Sequence, residues 1–206
     1  MKSLLCLFAL SIPAFGAVSI NLPGATETAS WTLSTPNYSG FNSFPTAANP
    51  WSTSAAGVGT ASALLNKISG SGYITSGFMY TAGTNGGFRL YDESPQASLQ
   101  TIVFQGKISD VFNAAPILNL NGGSQAIVPT FSAIAAGTGY PDRVWQWDLS
   151  SVGAITSYEI LFDGHFAANS LQIDTGSTFT ALIPEPSTSL LGAAAMGLAF
   201  IRRRRA

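Results

Sequence analysis

The chain has 206 residues, of which 46% are hydrophobic and only 9% charged, with a formal net charge of -1. That length fits one ordinary domain plus short targeting segments, and the apolar content excludes a highly charged disordered chain. No interior basic cluster exists to neutralise phosphates, so nucleic acid is not expected as a partner.

The first segment carries Lys2, an apolar run from Leu4 to Ile12, and then Pro13, Ala14, Phe15, Gly16 and Ala17. A positive charge, a short hydrophobic stretch and small residues at a break predict a secretory signal peptide over 1–17, delivered to the Sec machinery and cleaved near Gly16 or Ala17. The run falls short of the ~20 apolar residues that a membrane span needs. The single cysteine, Cys6, lies inside it and lacks the small residues that precede a lipoprotein cysteine, so the mature domain is expected to hold no thiol and no disulfide.

Residues 18–182 hold four basic side chains (Lys67, Arg89, Lys107, Arg143) against nine acidic ones, a formal -5. The near-neutral whole chain therefore conceals a mildly acidic domain, because five of the nine basic residues sit in the end segments. Val18 to Thr60 is rich in Ser, Thr, Asn, Pro and Gly, and predicts long loops with a few edge strands. Ala61 to Ile68 reads as the one short helix. Period-2 alternation then predicts strands. In Thr101 to Ile108, Ile102, Phe104 and Ile108 share a face; in Val144 to Leu149, Trp145, Trp147 and Leu149 do; in Ser157 to Phe162, Tyr158, Ile160 and Phe162 do. Tyr73 to Tyr80, Phe88 to Tyr91, Ile117 to Leu120, Ser170 to Asp174 and Thr178 to Leu182 complete the set. Asn85-Gly86-Gly87, Asn121-Gly122-Gly123, Gly137 to Gly139 and Asp163-Gly164 supply turn signals. Many short strands between Gly and Asn turns predict an all-β domain over 18–182, a β-sandwich of jelly-roll type.

The candidate chemistry is sparse. Asp174-Thr175-Gly176-Ser177 has the aspartic-protease pattern, but such enzymes need two aspartates sharing a proton and no second copy exists. His165 is the sole histidine, which removes His-based zinc clusters, and no G-x-S-x-G elbow accompanies it. Asp92 and Glu93 are adjacent and so face opposite sides of a strand, the wrong geometry for a glycosidase pair. No Asp-x-Asp-x-Asp-Gly calcium loop is present. No metal, cofactor or enzymatic activity is expected. Trp145 and Trp147 share a strand face and read either as core or, if exposed, as a stacking platform for carbohydrate.

The C-terminal stretch reads Ile183, Pro184, Glu185 and Pro186, with sixteen residues free of formal charge from Pro186 to Ile201, then Arg202, Arg203, Arg204 and Arg205. As a helix the uncharged stretch reaches about 24 Å, and the arginines place its end in the cytoplasm, with the domain on the far side. These residues resemble the PEP-CTERM sorting signal of bacterial envelope proteins, with triplet, short transmembrane helix and arginine cluster in the same order over 183–206. The resemblance implies that Pro184, Glu185 and Pro186 are read by an exosortase, a membrane cysteine protease that cleaves near the triplet. It implies an inner-membrane-anchored intermediate that passes to the cell surface or extracellular matrix. The expected function is that of an exported protein associated with exopolysaccharide or biofilm, with extracellular polysaccharide as a candidate partner. The alternatives are a purely structural surface protein and an envelope hydrolase.

Overall fold

The computed structural model describes residues 22–32, 51–52, 57–70, 72–75, 78–81, 83, 85–135 and 140–182. The expected signal peptide (1–17), the expected sorting triplet Pro184, Glu185 and Pro186, and Arg202 to Arg205 lie outside the described residues.

The protein is all-β. In chain order the strands are β1 (Thr26–Thr32), β2 (Trp51–Ser52), β3 (Gly57–Gly59), β4 (Leu64–Gly70), β5 (Tyr73–Thr75), β6 (Phe78–Tyr80), β7 (Gly86–Asp92), β8 (Thr101–Phe112), β9 (Ile117–Leu120), β10 (Phe131–Ala135), β11 (Asp142–Asp148) and β12 (Tyr158–Gly176). Every pairing is antiparallel, along the path β10-β11-β8-β12-β7-β4-β2, with the remaining strands joined to its sides.

The helix expected over Ala61 to Ile68 is instead the approach to β4 and most of that strand. Ala61, Ala63 and Leu65 alternate inward, and Leu64 to Gly70 pairs with β7. Cross-strand pairing and burial override the weak helical preference of an Ala-Ser-Ala-Leu-Leu run. Thr178 to Leu182, expected as a strand, lies outside the strand ladders, with a bend at Thr178. The strands expected at Ser157 to Phe162 and Ser170 to Asp174 are two parts of one 19-residue strand, β12.

β12 organises the fold by changing neighbours. From Tyr158 to Gly164 it pairs with β7, and over Tyr158 to Leu161 also with β9. From Gly164 to Gly176 it pairs with β8, and from Ser170 onward also with β1. The Asp163-Gly164 pair read as a turn therefore marks the exchange of partners within a continuous strand.

The aromatic contacts show that the sheet folds over on itself. Phe104 is the register partner of Ile173, and Phe162 precedes Ile173 by eleven residues, about 36 Å along a straight strand. Yet the Phe104 and Phe162 rings lie 5.1 Å apart. Trp145 likewise stacks at 5.3 Å on both Phe104 and Phe112, although these are eight residues apart on β8. Both strands must bend between the contact points. The register of β12 against β8 shifts between Ala168 and Ser170, and one extra residue in an antiparallel pair kinks and twists the strand that carries it. One residue beyond the shift sits Gly106, the register partner of Leu171, at an inward position: a Cβ there would lie 2.6 Å from the Ser170 carbonyl oxygen.

The core fills the fold so formed. Trp31, Leu65, Met79, Phe88, Leu90, Ile102, Phe104, Ile108, Leu118, Trp147, Ile160, Phe166, Leu171 and Ile173 are all fully buried. Phe88, Phe104, Phe112, Trp145, Phe162 and Phe166 form a continuous set of stacked, tilted and edge-on rings, of which Phe112–Phe166 at 4.9 Å is the tightest pair. A second, smaller cluster joins Leu22, Val103 and Val144 to Phe131, Ala133 and Leu182.

Candidate functional site

Trp145 and Trp147 are core residues, at 7% and 0% exposure. The Trp147 indole N–H donates to the Ile127 carbonyl at 3.0 Å, and the Trp145 ring is sandwiched between phenylalanines. Neither ring presents a face to solvent, so the carbohydrate-stacking platform is corrected to packing. The alternation that placed them on one face of β11 placed them on the inner one.

The other candidate residues are dispersed, each with local partners. His165 is exposed in mid-β12, edge-on to Tyr80 at 5.7 Å. Asp163 accepts from Asn113 Nδ2 at 2.5 Å. Glu159 pairs with Arg89 at 3.5 Å and accepts from Asn119 at 2.9 Å. Asp148 caps the turn at Ser150, accepting its N–H and its hydroxyl. Among the described residues, no group of three or more His, Cys, Asp or Glu could hold a metal ion.

Asp174, from the protease-like motif, lies near the end of β12 and accepts from Gln105 Nε2 at 2.8 Å and from Gln172 Nε2 at 2.9 and 3.0 Å. Burial pushes its carboxyl up from the ordinary 3.8, against the lowering effect of hydrogen bonds from Gln172, Thr28 and Gln105. A folded-state pKa above the unfolded one means that the folded chain holds the proton more tightly. The stability this contributes is present at low pH and is lost as pH rises from 3.8 through the shifted value. Thermal denaturation across that range should show the decline in the wild type and a flatter profile for Asp174→Asn; identical profiles would refute the assignment.

One end of the core carries polar groups. Asp92 is the register partner of Tyr158 on the inward face of β7 and β12. Its Oδ1 accepts from Ser62 Oγ at 2.6 Å and from the Ser94 N–H at 2.9 Å. Asp92 Oδ2, the Tyr158 hydroxyl and Trp31 Nε1 are buried without a hydrogen-bond partner among the described residues. Burial raises the Tyr158 phenol well above its ordinary value, and the charges of Asp92 and Glu27 act in the same direction. The phenol is thus held as a neutral O–H. Sequence reasoning treated Tyr158 as core alone, and nothing local to it signals the carboxylate across the strand pair. Asp92 and Tyr158 are each 2% exposed, whereas Ser62 and Ser94, the partners of Asp92, are exposed.

A polar constellation joining distant segments lies on the other face of β11. Gln146, fully buried, is directed there because its neighbours Trp145 and Trp147 point into the core. Its Nε2 donates to the Thr180 carbonyl at 2.8 Å and to Thr101 Oγ1 at 3.2 Å, and its Oε1 accepts the Leu182 N–H at 2.8 Å. Residues 177–182 thereby lie against the sheet. Ser177 N–H donates to the Ala25 carbonyl at 3.0 Å, and Ser177 Oγ accepts the Ala25 N–H at 3.0 Å. Leu22 and Leu182 share the outer apolar cluster with Val103 and Val144, which brings the two ends of the described domain onto one face. Gln146 was read from the sequence only as the polar alternate in a Trp-x-Trp strand; its partners lie 34 and 36 residues away, beyond any local signal. No protein-family model, curated protein or solved structure matches this chain.

Proposed function

We propose that this chain is an exported, non-enzymatic protein of the bacterial cell surface or extracellular matrix. In this reading the signal peptide directs it to the Sec machinery, and a C-terminal helix anchors it in the inner membrane until an exosortase cleaves near Pro184, Glu185 and Pro186. The observation that carries the reading is the ordered C-terminal series of Pro-Glu-Pro, fifteen further uncharged residues and four arginines, together with an N-terminal segment that calls for the same orientation. Residues 18–182 form the exported body, and its folded sheet fits a β-sandwich of jelly-roll type.

Within that reading, burial of Trp145 and Trp147 favours a structural role in an exopolysaccharide or biofilm matrix over sugar binding by those rings. The local partners of Asp148, Glu159, Asp163 and Asp174 favour it over an envelope hydrolase, since each is engaged by neighbouring amides, hydroxyls or a guanidinium. Deleting Pro184 to Pro186, or removing the exosortase, should leave the chain uncleaved in the inner membrane. Unchanged surface release would refute the assignment.

A further inference from the structure

We propose that Gln146 is a latch that holds the segment leading into the Pro-Glu-Pro triplet against the sheet, so that processing requires this segment to peel away first. The proposal rests on the sorting reading above and adds a control point within the domain. The side-chain amide takes the Thr180 carbonyl and the Leu182 N–H together, the two backbone groups that flank Ala181. A parallel strand neighbour would engage that same pair, so one glutamine stands in for a strand neighbour. The Gln146 side chain is fully buried, its bonds to the tail are partly so, and both backbone groups would lose protein partners if the latch opened. Leu182 reinforces it by packing on Val103, Val144 and Leu22, and the Ser177–Ala25 bonds fix the beginning of the segment.

The location gives the latch its consequence. One residue, Ile183, separates docked Leu182 from Pro184. A protease that binds the residues ahead of its motif in extended form needs their backbone N–H and C=O groups. Here the Thr180 carbonyl and the Leu182 N–H are already committed to Gln146. The docked and peeled forms are therefore in equilibrium, and only the peeled form presents the triplet with free residues before it.

The test is pulse-chase of the full-length precursor in producing cells, with hydrogen exchange of residues 178–182 measured on the full-length chain in detergent. Gln146→Leu removes the amide and keeps comparable bulk. Leu182→Ser weakens the same docking from the tail side without touching the sheet. Each should speed exchange in 178–182 and raise the processing rate roughly tenfold, the scale set by losing about one to two net hydrogen bonds or a buried leucine contact. If cleavage still depends on the triplet while both variants process at the wild-type rate or more slowly, the latch is overturned and the sorting reading stands. If wild-type cleavage does not depend on the triplet, the sorting reading itself fails, and the latch with it.

Discussion

Replacing Trp147 with alanine should lower the unfolding free energy by about 3 to 5 kcal/mol, the range for deleting a large aromatic from a close-packed core. The side chain is fully buried in the main core, and its N–H satisfies the Ile127 carbonyl at 3.0 Å. Ile127 in turn exchanges backbone hydrogen bonds with Leu118 on β9, so the indole ties β11 to the β9 side of the fold. Trp147→Phe separates the two contributions: most of the packing is kept, and the lost hydrogen bond should cost about 1 kcal/mol. Denaturant unfolding of both variants checks the pair. An alanine variant as stable as wild type would mean that Trp147 is not a core residue, and would restore it as a candidate surface ring.

The second large effect is expected at Gly106. Valine there should destabilise by about 3 kcal/mol, the upper part of the usual range for overpacking. The added Cβ would meet the Ser170 carbonyl oxygen at 2.6 Å, Leu171 Cδ2 at 2.9 Å and Ile108 Cδ1 at 3.1 Å. The side-chain atoms can give way, but the carbonyl belongs to the β12 backbone beside the register shift, where the sheet folds over. Relief would require opening that corner, which separates Phe104 from Phe162. Gly153→Ala, where a Cβ would meet nothing within 4 Å, is the matched control and should be nearly neutral. Equal stability of the Gly106 and Gly153 variants, read from the same unfolding curves, would contradict the account of the bend.

Several elements were legible in the sequence because they follow the period of two. Trp145, Trp147 and Leu149 alternate with Gln146 and Asp148, and β11 buries the first set in the main core. Tyr158, Ile160 and Phe162 do the same on β12. Asn121-Gly122 was legible as a turn, and both residues adopt positive φ, 54° and 69°, the conformation those residue types tolerate. What could not be read depends on contacts between distant segments. Nothing in Gln105-Gly106-Lys107 distinguishes an interrupted inward face from a corner; the close approach of Ser170 does. The continuity of β12 through Asp163-Gly164 was hidden because a turn signal and a change of strand partners favour the same residue types. Ala61 to Ile68 misled because its propensity is local, whereas its fate was decided by pairing with β7, over twenty residues later in the chain.

The same distinction applies to function. The proposed address segments rest on short contiguous motifs, whereas the domain's polar features, Gln146 on the tail and Asp92 beside Tyr158, exist only once the chain has folded. Trp145 and Trp147 show the hazard of reading the second kind of feature as the first. Their alternation with Gln146 and Asp148 reads more simply as a core stripe than as a sugar platform, and burial separates the two.

The central claim is that the domain is exported and severed at its C-terminal triplet. Peptide mapping by mass spectrometry of protein recovered from the cell surface or medium tests it most directly. The account predicts a chain that begins at or near Val18, ends within Ile183 to Pro186, and yields no peptide from Ser187 to Ala206. Recovery of surface protein that retains the uncharged stretch and Arg202 to Arg205 would contradict it.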